Sequence, residues 1–130
     1  VLACTLVSGR YSNRRLLFDS DMRLKGWENL DTHQVKSPFE DIAALDGHED
    51  AHAVLEGRGL KPFAFGGVHV ISPKIFELMK GCPERFPIVD FYLEKAASYK
   101  IIGVKTESTL IDVGKPENLN LAEEFLETQL

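Results

Sequence analysis

The spacing of apolar and polar residues predicts a strand-rich first part of the chain. Residues 1–8 are apolar and β-branched on both faces, which is typical of a buried strand. Residues 16–18 and 24–27 are short apolar runs joined by Asp19-Ser20-Asp21, a link rich in turn formers, so they predict a β-hairpin. A further short strand is predicted at residues 33–35.

The second part of the chain alternates strand and helix signals. Residues 61–71 and 100–104 predict strands. Pro73 and Pro87 begin two runs with apolar residues at helical spacing, and proline is favoured at a first helical position. A short strand, a turn and a further helix are predicted from residue 110 onward. Strands interleaved with helices predict an α/β fold, and the hairpin in the first part predicts that the sheet is mixed.

Residues 37–60 lie between these two parts and have mixed polarity. They predict a long excursion with little regular structure, and such excursions are often functional. Single helical turns are indicated at residues 42–45 and 51–56, on either side of Gly47.

A formal zinc motif lies inside this excursion. His48-Glu49-Asp50-Ala51-His52 satisfies the pattern H-E-x-x-H, in which two histidines on one helix face chelate zinc and the glutamate acts as the base. Gly47 and the hydrophilic neighbours oppose this interpretation, and Glu77 is the candidate third ligand. Because the motif is formally complete, a zinc peptidase remains the less favoured alternative function. His69, in the strand at 61–71, is predicted to be a hydrogen-bonded sheet histidine rather than a ligand.

Length and composition restrict the class of protein. The 130 residues suffice for one domain or part of one, and the net charge of −5 argues against a nucleic-acid-binding surface. No apolar run approaches the roughly 20 residues of a membrane span, so no membrane partner is predicted. Cys4 and Cys82 stand far apart, which suits a reducing cytoplasm. The chain opens inside a strand-like run without a methionine, which predicts a piece of a longer protein.

Asp112 is the first candidate for chemistry. It lies at the end of the short strand that is predicted to start at residue 110. Gly114 follows it, and Pro116 begins the predicted helix. A carboxylate at the end of a sheet can hold a hard cation such as Mg²⁺. The same residue could instead cap the turn or the helix.

Two further groups suit a sugar or a phosphate. Gly66 and Gly67 interrupt a predicted strand, which indicates a bulge or the close approach of another group to the backbone. Trp27, Glu28 and Asn29 offer a stacking ring, a carboxylate and an amide for sugar hydroxyls, although a lone tryptophan equally suits a core position.

Taken together, three stretches resemble the sugar-phosphate nucleotidyltransferase family, also called the NDP-sugar pyrophosphorylases. They are residues 63–73, 86–90 and 110–119. The hairpin at 16–29 is similar to that of bacterial members, which show R-x-L-x-F-D followed by L-x-G-W-x-N. Residues 37–60 have no match in the family pattern. Within the family, the chain most resembles the mannose-1-phosphate guanylyltransferase-like and the N-acetylmuramic acid 1-phosphate uridylyltransferase-like members.

The resemblance implies that the chain is the C-terminal half of a GT-A-like (Rossmann-like) nucleotidyltransferase domain. The implied reaction transfers a nucleotidyl group from an NTP to a sugar 1-phosphate and releases pyrophosphate, with Mg²⁺ as cofactor. Asp112 matches a metal ligand of the family, and Gly67, with Gly66 beside it, matches the glycine that lies against the sugar. Glu28 matches the sugar-contacting glutamate, although Asn29 replaces the lysine of the usual E-K-P.

The Gly-rich nucleotide loop and the first metal aspartate of the family do not occur in this sequence. We therefore expect the chain alone to be inactive. A non-catalytic regulatory or assembly domain with the same fold is the alternative from another class. The sheet edge that an absent half would leave open predicts a homo-oligomer.

Overall fold

A computed structural model describes residues 1–106 and 119–129 of the chain. The strands are β1 (Ala3–Ser8), β2 (Arg14–Phe18), β3 (Leu24–Asn29), β4 (Gln34–Lys36), β5 (Lys61–Ile71) and β6 (Ile101–Lys105). The helices are α1 (Glu40–Ala43), α2 (Ala51–Gly57), α3 (Lys74–Leu78), α4 (Ile88–Lys95) and α5 (Leu119–Gln129), and a 3₁₀ turn covers Met79–Gly81.

The strands of the described residues form one mixed sheet in the order β4-β3-β2-β5-β1-β6. β1 and β6 pair in parallel, and the remaining four neighbouring pairs are antiparallel. The predicted α/β class with a mixed sheet is therefore confirmed. The predicted strand at 61–71 and the hairpin are present, and the helices at Pro73 and Pro87 begin one residue after each proline.

Helices cover both faces of the sheet. Leu16 and Leu17 are neighbours in β2, so their side chains point to opposite faces. Leu16 is buried in a large cluster with Ile75 and Tyr92, whereas Leu17 is buried in a smaller cluster with Leu55. We call the first side, which α3 and α4 cover, the α4 face, and the second side, which α1 and α2 cover, the α2 face.

The excursion at 37–60 contains α1 and α2, at the two places where single helical turns are indicated by the sequence. Helices of four and seven residues are not stable alone, so their order depends on packing. Ile42 and Leu55 supply that packing by burial against the α2 face.

Both outer strands of the sheet carry a capping hydrogen bond. The Val35 N–H of β4 donates to Asp46 Oδ1 at 2.9 Å. The Gly103 N–H of β6 donates to the Met22 carbonyl oxygen at 2.8 Å. These bonds satisfy backbone groups that would otherwise recruit another strand. Self-association through a sheet edge stays a prediction.

The predicted strand and turn around Asp112 and Pro116 lie outside the described residues. The helix predicted after them is present as α5, from Leu119 onward. Among the helices in residues 1–106 and 119–129, none has the length and apolar character needed to cross a membrane.

Candidate functional site

A bulge in β5 confirms the interruption predicted at the glycine pair. β5 advances four residues from Phe65 to His69, while its partner β1 advances two residues from Thr5 to Val7. Gly67 has a φ of +77°, a conformation that favours glycine. A Cβ at this position would meet nothing within 4 Å, so the backbone of the bulge is open to an approaching group.

A cleft of about 380 Å³ lies on the α4 face, between the β2–β3 hairpin and the start of α4. Its charged and polar lining residues are Arg10, Ser12, Arg14, Lys36 and Asp90, and its aromatic ones are Trp27 and Phe65. Because Phe65 immediately precedes Gly66 in β5, the cleft adjoins the bulge. Ligand sites of small molecules are typically clefts of about 300–1,000 Å³ with a few polar groups.

The cleft is basic although the whole chain is acidic. Lys36 Nζ lies 3.1 Å from Asp90 Oδ1 and 4.9 Å from the centre of the Trp27 ring. Arg10 and Arg14 have no carboxylate partner within residues 1–106 and 119–129. Three cations therefore face one carboxylate, and this excess of positive charge attracts an anion.

Glu28 lies on the other side of the sheet from this cleft. Its carboxylate accepts a hydrogen bond from Arg15 Nη2 at 2.8 Å and lies 3.1 Å from His52 Nδ1. The Glu28 side chain is only 3% exposed. The predicted side-by-side group of Trp27, Glu28 and Asn29 is therefore wrong for Trp27 and Glu28, because neighbouring strand residues alternate between faces.

Asn29 is also buried, and its side chain serves the backbone. Asn29 Oδ1 accepts a hydrogen bond from the Asp31 N–H at 2.9 Å, which stabilises the turn after β3. This contact engages the oxygen of the amide group that was predicted to suit sugar hydroxyls.

The described residues do not assemble the predicted zinc motif. α2 begins at Ala51, so His48 precedes the helix, and His52 is held by Glu28. Glu77 belongs to α3 on the α4 face, on the opposite side of the sheet from α2. No cluster of three or more His, Cys, Asp or Glu side chains suited to a metal occurs in this part of the chain.

His69 is a hydrogen-bonded sheet histidine, as predicted. Its Nδ1 lies 2.7 Å from the hydroxyl oxygen of Tyr92. Burial lowers the pKa of His69 and raises the pKa of Tyr92, since an apolar environment disfavours both charged forms.

Asp112, the predicted ligand of Mg²⁺, lies outside the described residues. Its role and the predicted Mg²⁺ remain predictions.

The basic lining of the cleft was missed by reasoning from the sequence, although part of its signal was readable. Arg10, Ser12 and Arg14 recur at every second residue, which is the spacing of one face of an extended segment. Lys36 and Asp90 carry no local signal, because 54 residues separate them and only the fold brings them together.

Fold and site together define an α/β protein with a basic, aromatic-lined cleft beside a glycine bulge. Comparison of the chain with protein-family models, with curated proteins and with solved structures gives no match.

Proposed function

We propose that this chain is the sugar-phosphate-binding part of a GT-A-like nucleotidyltransferase. The parent enzyme would transfer a nucleotidyl group from an NTP to a sugar 1-phosphate, giving an NDP-sugar and pyrophosphate. The observation that carries the proposal is the basic, aromatic cleft that adjoins the Gly66–Gly67 bulge. The proposal keeps the cytoplasmic location expected from the sequence.

The cleft offers the two kinds of contact that a sugar phosphate needs. The guanidinium groups of Arg10 and Arg14 suit the phosphate, because their planar donors match its oxygens. Trp27 and Phe65 offer ring surfaces for the apolar face of a sugar. The open backbone at Gly67 allows the sugar to approach without a side chain in its way.

Mg²⁺ remains part of the proposed reaction through Asp112. The cation would neutralise the charge that gathers on the phosphates during transfer. The described residues supply no complete ligand set, and Mg²⁺ is commonly held by one or two carboxylates together with substrate phosphates and water.

A non-catalytic regulatory or assembly domain is the second candidate. The observation that favours it is the position of Glu28, which matches the family's sugar-contacting glutamate but is engaged by Arg15 and His52. A carboxylate that is held by these two side chains stabilises the fold and is not free to bind a sugar hydroxyl.

Calorimetric titration separates the two candidates. We expect the chain to bind α-D-mannose 1-phosphate or α-D-glucose 1-phosphate more tightly than inorganic phosphate. Arg14→Ala should weaken binding by about tenfold or more, the usual cost of a lost hydrogen bond to a charged group. Arg58→Ala, which removes an equal charge from the far side of the sheet, should bind like the unmodified chain. Absence of binding to every sugar phosphate would support the non-catalytic candidate.

A further inference from the structure

The His69 ring is held in one orientation by three contacts. Its Nδ1 lies 2.7 Å from the Tyr92 hydroxyl oxygen. Phe65 packs against the ring at a centroid distance of 5.2 Å and an angle of 75°, and the Tyr92 ring lies at 5.6 Å. Edge-to-face packing on two sides restricts rotation of the imidazole.

These contacts also decide which ring nitrogen carries the proton. Tyr92 is 1% exposed, so its hydroxyl proton needs an acceptor within the protein, and among the described residues His69 Nδ1 is its hydrogen-bond partner. The hydroxyl therefore donates and Nδ1 accepts. Burial of His69 favours the neutral ring. A neutral imidazole whose Nδ1 accepts carries its single proton on Nε2. The described residues provide no hydrogen-bond partner for that Nε2–H.

The ring lies beside the candidate site. His69 follows Gly67 by two residues in β5, so it stands at the end of the bulge. Phe65, which packs on the ring, also lines the basic cleft. The His69 side chain is only half-buried, in contrast to Tyr92 behind it.

We propose that His69 is a substrate-binding residue that donates its Nε2–H hydrogen bond to an oxygen of the sugar phosphate. The inference rests on the proposed function. Tyr92 acts through His69 as a positioning residue, because its hydroxyl selects the tautomer that leaves the donor facing outward from the buried side. A ring fixed before binding loses little conformational freedom when the substrate arrives.

Nuclear magnetic resonance of the whole chain, labelled with ¹⁵N in histidine, tests the tautomer and the contact together. At pH 7.5 the long-range proton–nitrogen correlations of His69 should show a protonated Nε2 and an unprotonated Nδ1. Addition of α-D-mannose 1-phosphate should shift the His69 Nε2 resonance, and Tyr92→Phe should mix the two tautomers. This measurement needs no His69 variant and stands even if a substitution unfolds the chain.

Binding variants give the second measurement. His69→Phe keeps a ring but removes the donor, so it should weaken binding of the sugar phosphate by about two- to tenfold, the usual range for one neutral hydrogen bond. His69→Gln keeps an N–H donor and should recover part of the loss. His48→Phe, at an exposed histidine outside the cleft, should have no effect.

The outcomes separate this inference from the proposed function. If the unmodified chain binds the sugar phosphate, Arg14→Ala weakens binding and His69→Phe does not, the role of His69 is refuted and the function stands. An unshifted Nε2 resonance at saturating sugar phosphate refutes the role in the same way. If no sugar phosphate binds at all, both proposals fail.

Discussion

Gly103 shows how closely single residues are fitted in this sheet. A Cβ at Gly103 would lie 2.8 Å from two ring carbons of Phe18, which is fully buried beneath it. The aromatic ring therefore occupies the space of the missing side chain, and this contact joins β6 to the hairpin.

Gly103→Ala should lower the free energy of unfolding by about 1–3 kcal/mol, the usual cost of overpacking a core. Gly57→Ala is the matched control, because a Cβ at the end of α2 would meet nothing within 4 Å. The control should leave stability unchanged or raise it by up to about 1 kcal/mol, since alanine restricts the unfolded chain. Urea unfolding of both variants measures the difference, and equal midpoints would contradict the proposed packing role of Phe18.

The pair of His69 and Tyr92 gives the molecule a dependence on pH. The folded pKa of His69 is lowered from its ordinary 6.5 by burial, so between the two values the unfolded chain binds a proton that the folded chain does not. The contribution of His69 to the free energy of unfolding is fully present above about pH 6.5, and it is lost as the pH falls through the folded pKa.

The double variant His69→Phe/Tyr92→Phe removes both partners without leaving a buried hydroxyl unpaired. We expect its urea midpoint to fall less between pH 7.5 and pH 5.5 than the midpoint of the unmodified chain. Equal losses would show that the acid sensitivity does not come from this pair. Tyr92→Phe alone keeps the histidine and should retain most of the acid loss.

At the scale of elements, α2 is tied to the sheet by charge as well as by apolar packing. Glu28 in β3 holds Arg15 in β2 and His52 in α2, and Leu55 packs beside them on the α2 face. Burying a carboxylate is unfavourable unless it is paired, so Arg15 and His52 together compensate for the burial of Glu28.

Glu28→Ala should lower the free energy of unfolding by about 3–5 kcal/mol, because it leaves the Arg15 cation without its buried partner. Glu56→Ala is the control. The Glu56 side chain is 72% exposed, and its carboxylate lies as far as 3.8 Å from His52 Nε2. This substitution should lower the free energy of unfolding by less than about 1 kcal/mol. In Glu28→Ala, amide hydrogen exchange should become faster in α2 than in the unmodified chain, and it should increase less in β5. A Glu28 variant as stable as the control would refute the role of this cluster.

Most of the strands and helices could be predicted from the sequence, but the contacts between residues on different strands and helices could not. The run at 61–71 has the β-branched residues of a strand, and Pro73 and Pro87 are suited to helix starts, so these elements follow from local chemistry. The face on which Glu28 lies depends on the register of the hairpin. The contact of Lys36 with Asp90 depends on the whole fold, and neither has a local signature.

For the whole molecule, the predicted self-association would depend on the outer strands of the sheet. The predicted self-association needs free backbone groups at a sheet edge, and Asp46 occupies one of them at Val35. Asp46→Ala would release this N–H on β4.

We expect Asp46→Ala to raise the average mass in light scattering, relative to the unmodified chain, as the concentration increases. Asp21→Ala removes an equal charge in the turn between β2 and β3 and leaves this cap in place, so it should behave like the unmodified chain. A mass for Asp46→Ala that follows the control at every concentration would show that the edge of β4 does not direct assembly.

The hydrogen bond from Gly103 to Met22 has a consequence for how a ligand would enter. The turn that contains Met22 closes the hairpin, and the hairpin forms one wall of the cleft. The hydrogen bond fastens the turn end of this wall to β6, an edge strand of the sheet. A wall fastened in this way has little freedom to swing aside. Ligands should therefore meet a pre-shaped receptor, and their arrival should be limited by diffusion and charge rather than by a preceding rearrangement.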